Sequence, residues 1–311
     1  MSPSTRPPHT PYDGSSKLFT IGLKPLDLAD WIEVDENLGA HLAEKRRLYA
    51  TIADKVFVEE PDTRAAQREV LDLLTAYMPR RFPETHRLVE GQIEVAGAEP
   101  STQCVSALDA PLVAASLLVQ EDLIVMRRGE DGWRLAAGSL CFPSSWSLRE
   151  KFGKPLHRIH DPVPGFGAGT RPADLIHRMF DGLQGQAVER FNWSIQAGDA
   201  LYHPLSNVQR IDRATNRPSK FVDADDIEAS AFIRVERQTL RKLPLSRDIL
   251  FTIRIHLDPL AVLSQHPDRA RLAVSFAGQL MALDEAQLDY KGLTADRDAL
   301  ARLLLDRYGR A

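Results

Sequence analysis

Leu38, Leu42, Leu48 and Ile52 form an apolar series, with Lys45, Arg46 and Arg47 between them. That spacing predicts an amphipathic helix, which Asp35 or Asn37 can cap. Pro61-Asp62-Thr63 opens a second helical stretch with Val70, Leu71, Leu74 and Tyr77 as its stripe, and Pro79 is expected to end it. The period then changes. Residues 112–119, 123–128 and 133–142 are short apolar runs separated by Glu121-Asp122 and by 129–132. Three such runs with tight polar turns predict an antiparallel meander. Residues 147–152 read as one or two helical turns, stopped by Gly153 and Pro155, and 154–172 as a long loop rich in Pro and Gly. Helical spacing returns at Leu175, Ile176, Met179, Phe180 and Leu183. Residues 188–195, 232–240 and 249–257 read as strands. In the second of these, Arg234, Glu236 and Gln238 share one face and Ile233, Val235 and Arg237 the other. From 258 to 310 the pattern is helical, with Leu272, Val274, Leu280 and Leu283, then Leu300, Leu303 and Leu304.

The order is helices, about six strands interrupted by helices, then helices. It predicts an α+β fold with an antiparallel sheet and flanking helices. Pro3, Pro7, Pro8 and Pro11 make residues 1–16 an expected disordered lead, and 17–311 an expected single domain. The chain carries 39 Lys+Arg against 43 Asp+Glu, a net charge of −4, which argues against a nucleic-acid partner. No run approaches 18 apolar residues, so no membrane span is expected. The Pro- and Ser-rich start lacks the apolar segment of a signal peptide, which points to the cytoplasm. Two cysteines, Cys104 and Cys141, cannot build a disulfide framework or a four-cysteine cluster, and they suit a reducing compartment.

Gly165-Phe-Gly-Ala-Gly169 follows prolines rather than a strand, so it fails as a nucleotide loop. There is no Walker A lysine motif and no nucleophile elbow. His157 and His160 lie three apart, although Pro155 and Pro162 argue against a regular helix there. With Asp161 they supply the residue types of an iron triad, but Asp161 directly follows His160, a poor geometry for three ligands. One axial histidine to haem needs only a single residue and a large apolar pocket. Cys141 reads either as a thiolate ligand or as a buried, inert thiol. If the face bearing Arg234, Glu236 and Gln238 is buried, its polar groups need partners and suit a carboxylate or an amine. The competing reading is an exposed face with a cross-strand ion pair. Arg190, Asn192 and Trp193 on another strand read as a similar anchor or as core packing.

Six segments occur in order: Trp31-Ile-Glu-Val-Asp35 with Lys45, Phe142-Pro-Ser-Ser-Trp146, Lys151-Phe-Gly153, Ile159-His-Asp-Pro-Val-Pro164, Arg190-Phe-Asn-Trp193 and Arg234-Val-Glu-Arg-Gln-Thr-Leu-Arg-Lys-Leu-Pro244. As a group, over about residues 20–260, they resemble the haem-binding alpha subunit of haem-dependent oxidative N-demethylase, also called dimethylamine monooxygenase. The resemblance implies a PAS-like sheet holding haem b. It implies oxidation of a small secondary methylamine by O2, releasing formaldehyde. Electrons would come from NADPH through a partner reductase that carries flavin and an iron–sulfur centre. It implies His160 as the axial ligand, with Cys141 and His157 as alternates, and Arg190, Asn192 and Trp193 as cofactor contacts. Glu236, Arg234 and Arg237 would serve the pocket, with Glu236 holding an ammonium or relaying protons. The alternative is a PAS-like haem or small-ligand sensor without turnover, and a homo-oligomer stays open.

Overall fold

Helix α1 (Leu38–Val56) and helix α2 (Arg64–Arg81) form where the apolar stripes predict them. Pro79 lies inside α2 rather than ending it, and the last turn closes with the Phe82 N–H on the Met78 carbonyl. The computed structural model describes residues 6–98, 102–103 and 110–310, so Cys104 lies outside the described residues. The strands are β1 (Lys24–Leu26), β2 (Phe57–Glu59), β3 (His86–Val89), β4 (Gln92–Val95), β5 (Thr102–Gln103), β6 (Asp122–Gly129), β7 (Gly132–Ser139), β8 (Ala187–Ala197), β9 (Ala231–Lys242) and β10 (Ile249–Pro259). Seven of them form an antiparallel sheet in the order β1-β8-β9-β10-β6-β7-β2, and β3-β4-β5 form a small second sheet. The class is therefore α+β, as the pattern predicts.

Three expectations are corrected. Residues 112–119 are not a strand of the meander: Pro111–Ser116 is helix α3. Pro111 sets the first helical φ, and a run buried on every side has no alternation to tell strand from helix. The loop 154–172 contains a helical turn, α5 (Leu156–His160), which follows α4 (Leu148–Lys151). Pro155 occupies the cap of α5, where no N–H is needed, and Pro162 falls beyond its end. Of the lead 1–16, residues 1–5 lie outside the described residues, and the rest is not loose. Tyr12 is buried and stacks on Phe276 at 4.4 Å, and its carbonyl accepts from Ser275 Oγ. A single aromatic supplies the apolar area that the proline count hides.

The remaining helices are α6 (Arg171–Gly182), α7 (Asn207–Asn216), α8 (Ala224–Ser230), α9 (Arg269–Met281), α10 (Glu285–Lys291) and α11 (Arg297–Tyr308). One core joins α1, α2 and α3 to the inner strands through Leu42, Leu71, Leu112, Val125 and Leu250. A second joins α9 and α11 to β8 and β9 through Phe276, Leu300, Trp193 and Val235. A third lies against β6, β7, β9 and β10 under α4, α5 and α6, and it borders the site described next.

Lys45 fastens α1 to the segment after α3. Its fully buried ammonium donates to the carbonyls of Ser116 (3.1 Å), Val119 (3.0 Å) and Glu121 (2.5 Å) and to Ser116 Oγ. These are orphan carbonyls at a helix end and in a turn, which a methionine cannot satisfy. Lys45→Met is expected to destabilise the fold by about 3 kcal/mol, since each buried unsatisfied polar group costs roughly 1–3 kcal/mol. Chemical denaturation reads this directly, and an unchanged midpoint would contradict it.

Candidate functional site

Strand alternation divides the sheet into two chemistries. In the β9 register, Gln238 faces Arg190 on β8 and Ile253 on β10, Glu236 faces Asn192 and Ile255, and Leu240 faces Val188 and Phe251. Arg190, Asn192, Glu236 and Gln238 form the polar half of a cleft on this face. Ile124, Met126, Leu135, Phe251 and Ile253 extend it as an apolar floor, and Leu156, Val163, Phe166, Ile176 and Phe180 wall it opposite the sheet. Cross-strand pairing of β6 with β7 and β10 makes the floor continuous.

His160 enters this cleft from the last turn of α5. Burial, followed by Lys151, Arg190 and His177 nearby, lowers its pKa to about 4. The ring is therefore neutral at ordinary pH, the form that ligates iron. Asp161 pairs instead with Arg158 at 3.6 Å.

Glu236 is the one carboxylate lining the cleft among the described residues, against Lys151, Arg190, Lys220 and Lys291. Its Oε2 accepts from Gln238 Nε2 at 2.8 Å and from Asn192 Nδ2 at 3.4 Å. Burial dominates the lysines: it brings Lys220 down to about 7, and Lys151 and Lys291 down to about 8. Lys220 Nζ donates to the Ile195 and Lys291 carbonyls, and Lys291 Nζ to the Trp193 carbonyl. Arg190 Nε is buried with no partner among the described residues. A cationic donor left over at the wall of an apolar cleft is what an anionic ligand would satisfy.

The remaining sequence candidates lie elsewhere. Arg234 shares the face of Glu236 but sits beneath it, fully buried. It donates to the Phe142 carbonyl at 2.6 Å and to Gln196 Oε1, with Nε 3.9 Å from Glu236 Oε1. It supports Glu236 rather than lining the cleft. Arg237 does not join them. The alternation of β9 turns it to the opposite face, where it pairs with Glu189 at 2.8 Å and donates to the Asp30 and Trp31 carbonyls. Trp193 lies one layer behind the wall, edge-on to Phe276, with Nε1 donating to Gln279 Oε1.

Cys141 is enclosed outside the cleft lining, and burial, reinforced by Asp122, pushes its thiol up to about 12. Asp122 accepts from the Cys141 and Phe142 N–H groups at 2.7 and 2.9 Å, which fixes this turn. His157 points toward His177, with ring centroids 6.2 Å apart, and does not line the cleft. Sequence reasoning missed His203, Lys220, Tyr290 and Lys291, which reach the cleft from segments with no strand pattern. Lone buried lysines leave no periodic trace.

The family model for haem-dependent oxidative N-demethylase, alpha subunit-like, matches residues 22–301 of this chain. The match takes in both faces of the large sheet and every residue that lines the cleft except Phe19 and Ile21.

Proposed function

The chain belongs to the haem-dependent oxidative N-demethylase alpha subunit-like family, and on that premise we propose that the cleft holds haem b and demethylates a small secondary amine such as dimethylamine. The observation that carries the reading is the meeting of two imidazoles whose pKa burial lowers, His160 and His203, an extended apolar wall, an orphaned arginine Nε and a single carboxylate in one cleft. The residues fit haem. His160 would hold the iron, the floor and walls would cover the macrocycle, and Arg190 with its neighbouring lysines would meet the propionates. The reading includes a PAS-like cup, a cytoplasmic setting, and a partner reductase supplying NADPH-derived electrons through flavin and iron–sulfur centres. The described residues contain one cysteine, Cys141, enclosed by its core, and no helix long and apolar enough to cross a membrane.

Bound in the cleft, haem would supply the reductive activation of O2 and the oxidation of an N-methyl group. The products are the demethylated amine, formaldehyde and water. This chain's residues would bind and orient. A small secondary amine is protonated near neutrality, and in a cleft with four cationic side chains its ammonium has one counter-charge, Glu236. The carboxylate would accept the ammonium proton, which releases the lone pair, while Asn192 and Gln238 hold its orientation. The apolar wall would exclude water around the methyl groups.

The test is an absorption spectrum of the purified chain, oxidised, then reduced, then under CO, followed by dimethylamine turnover with a supplied reductase. A Soret band with a histidine-type reduced CO band and formaldehyde release are expected. A chain that takes up no haem when grown with haem precursor would reduce the reading to a PAS-like binding protein.

A further inference from the structure

On the opposite face of the sheet lies a second cleft, of about 760 Å³. Arg237 borders it, and so do three residues from distant parts of the chain: His9 of the N-terminal segment, Glu33 between β1 and α1, and His256 of β10. Glu33 bridges the two imidazoles. Its Oε1 lies 2.8 Å from His9 Nε2 and its Oε2 2.9 Å from His256 Nε2. One ligand atom from each of the three lies within 4.8 Å of the others. Two imidazole nitrogens and a carboxylate oxygen form the donor set of three-ligand zinc sites that keep a position open for water. Ligand atoms around such an ion stand roughly 3.3 Å apart, given metal–ligand bonds of about 2.0–2.2 Å, so small side-chain rotations bring these three into range.

The surroundings favour a cation. Seven carboxylates line the cleft against two arginines. Arg237 approaches Glu33 to 3.4 Å, but its charge is matched by Glu189 at 2.8 Å, and Arg254 behind the wall is paired with Asp35. The donors are also held in place. The Glu33 N–H donates to Glu121 Oε1 at 3.0 Å, and the His9 ring rests on Phe191 with centroids 4.6 Å apart.

We propose that His9, Glu33 and His256 bind a divalent transition cation of the zinc type, which clips the N-terminal segment to the sheet on the face away from the haem cleft. The ion would take the Nε2 positions of both rings, whose protons would move to Nδ1, in place of the hydrogen bonds to Glu33. It would join positions 9, 33 and 256, so its binding would stabilise the folded chain by mass action. The clip does not depend on the demethylase reading, because it shares no residue with that cleft.

The experiment uses the tag-free, full-length chain grown without haem precursor, stripped with a chelator and titrated with Zn2+, with binding read by calorimetry and metal analysis. The expected result is one zinc per chain in the wild type. His9→Ala and Glu33→Gln should bind at least about tenfold more weakly with unchanged far-ultraviolet dichroism, since loss of even an outer-shell partner typically costs 10–100-fold. Glu33 keeps His256 at 2.9 Å and Arg237 at 3.4 Å in His9→Ala, so the carboxylate is not left without partners. Cobalt(II) added to the wild type should show the intense visible bands of four- or five-coordination. A wild type that binds no zinc and gives no such bands, or zinc binding equal in wild type and His9→Ala, overturns the proposal.

Discussion

Replacing His160 by alanine is expected to give a folded chain that purifies without its Soret band, with haem occupancy down by more than about tenfold. Two arrangements lead to this expectation. The His160 ring lines the cleft and is kept neutral by burial. The alternates lack them: Cys141 would have to lose its proton although burial pushes its thiol up to about 12, and His157 lies off the cleft. His160→Ala opens only a half-buried position, so far-ultraviolet dichroism should hold. The pH dependence has a definite sign. The folded-state pKa of His160 falls from 6.5 to about 4, so the unfolded chain takes up its proton first. This residue therefore subtracts stability as pH falls from about 6.5 toward 4 and has no effect above that window. Protons compete with iron for the ring only below the folded value. The Soret band should therefore persist as pH drops from 7 to 5. A Soret band that survives in His160→Ala, or is lost in His157→Ala instead, would move the ligand.

Replacing Glu236 by glutamine is expected to leave haem content unchanged and lower kcat/KM for dimethylamine by about 10²–10⁴-fold, the range for a lost positioned acid–base group. Glutamine keeps the size and an acceptor for Gln238, so the scaffold of Asn192 and Gln238 survives. What disappears is the one negative charge facing four cationic side chains. An ammonium then meets uncompensated repulsion, which raises KM. The proton also loses its acceptor, which lowers kcat. A loss confined to KM would limit Glu236 to holding the ammonium. Full activity with glutamine would exclude the carboxylate from either role.

The two faces of β9 are legible in the residues alone, because alternation is a local consequence of the pleat. It separates Glu236 from Arg237 whatever the rest of the chain does. The helices with clean stripes and the β6–β7 hairpin are legible for the same reason. Residues 111–116 are not, since a run buried on all sides carries no period. Nor is the turn that presents His160, because prolines that bar a helix interior are well accommodated at its edges.

Family membership is also carried by the sequence, in six ordered segments that fall within the matched span 22–301. The order of chemistry along one strand is written in neighbouring residues. What shares a cavity is decided by contacts between residues far apart, whose cost is closure of long loops and whose gain is burial. That is why the sequence determined the α+β class, the family and the pairing of Glu236 with its strand neighbours. Only the tertiary structure decided that Lys220 and Lys291 join His160 in one cleft and that Cys141 is sealed from it. Only the tertiary structure, too, brought His9, Glu33 and His256 together behind the sheet.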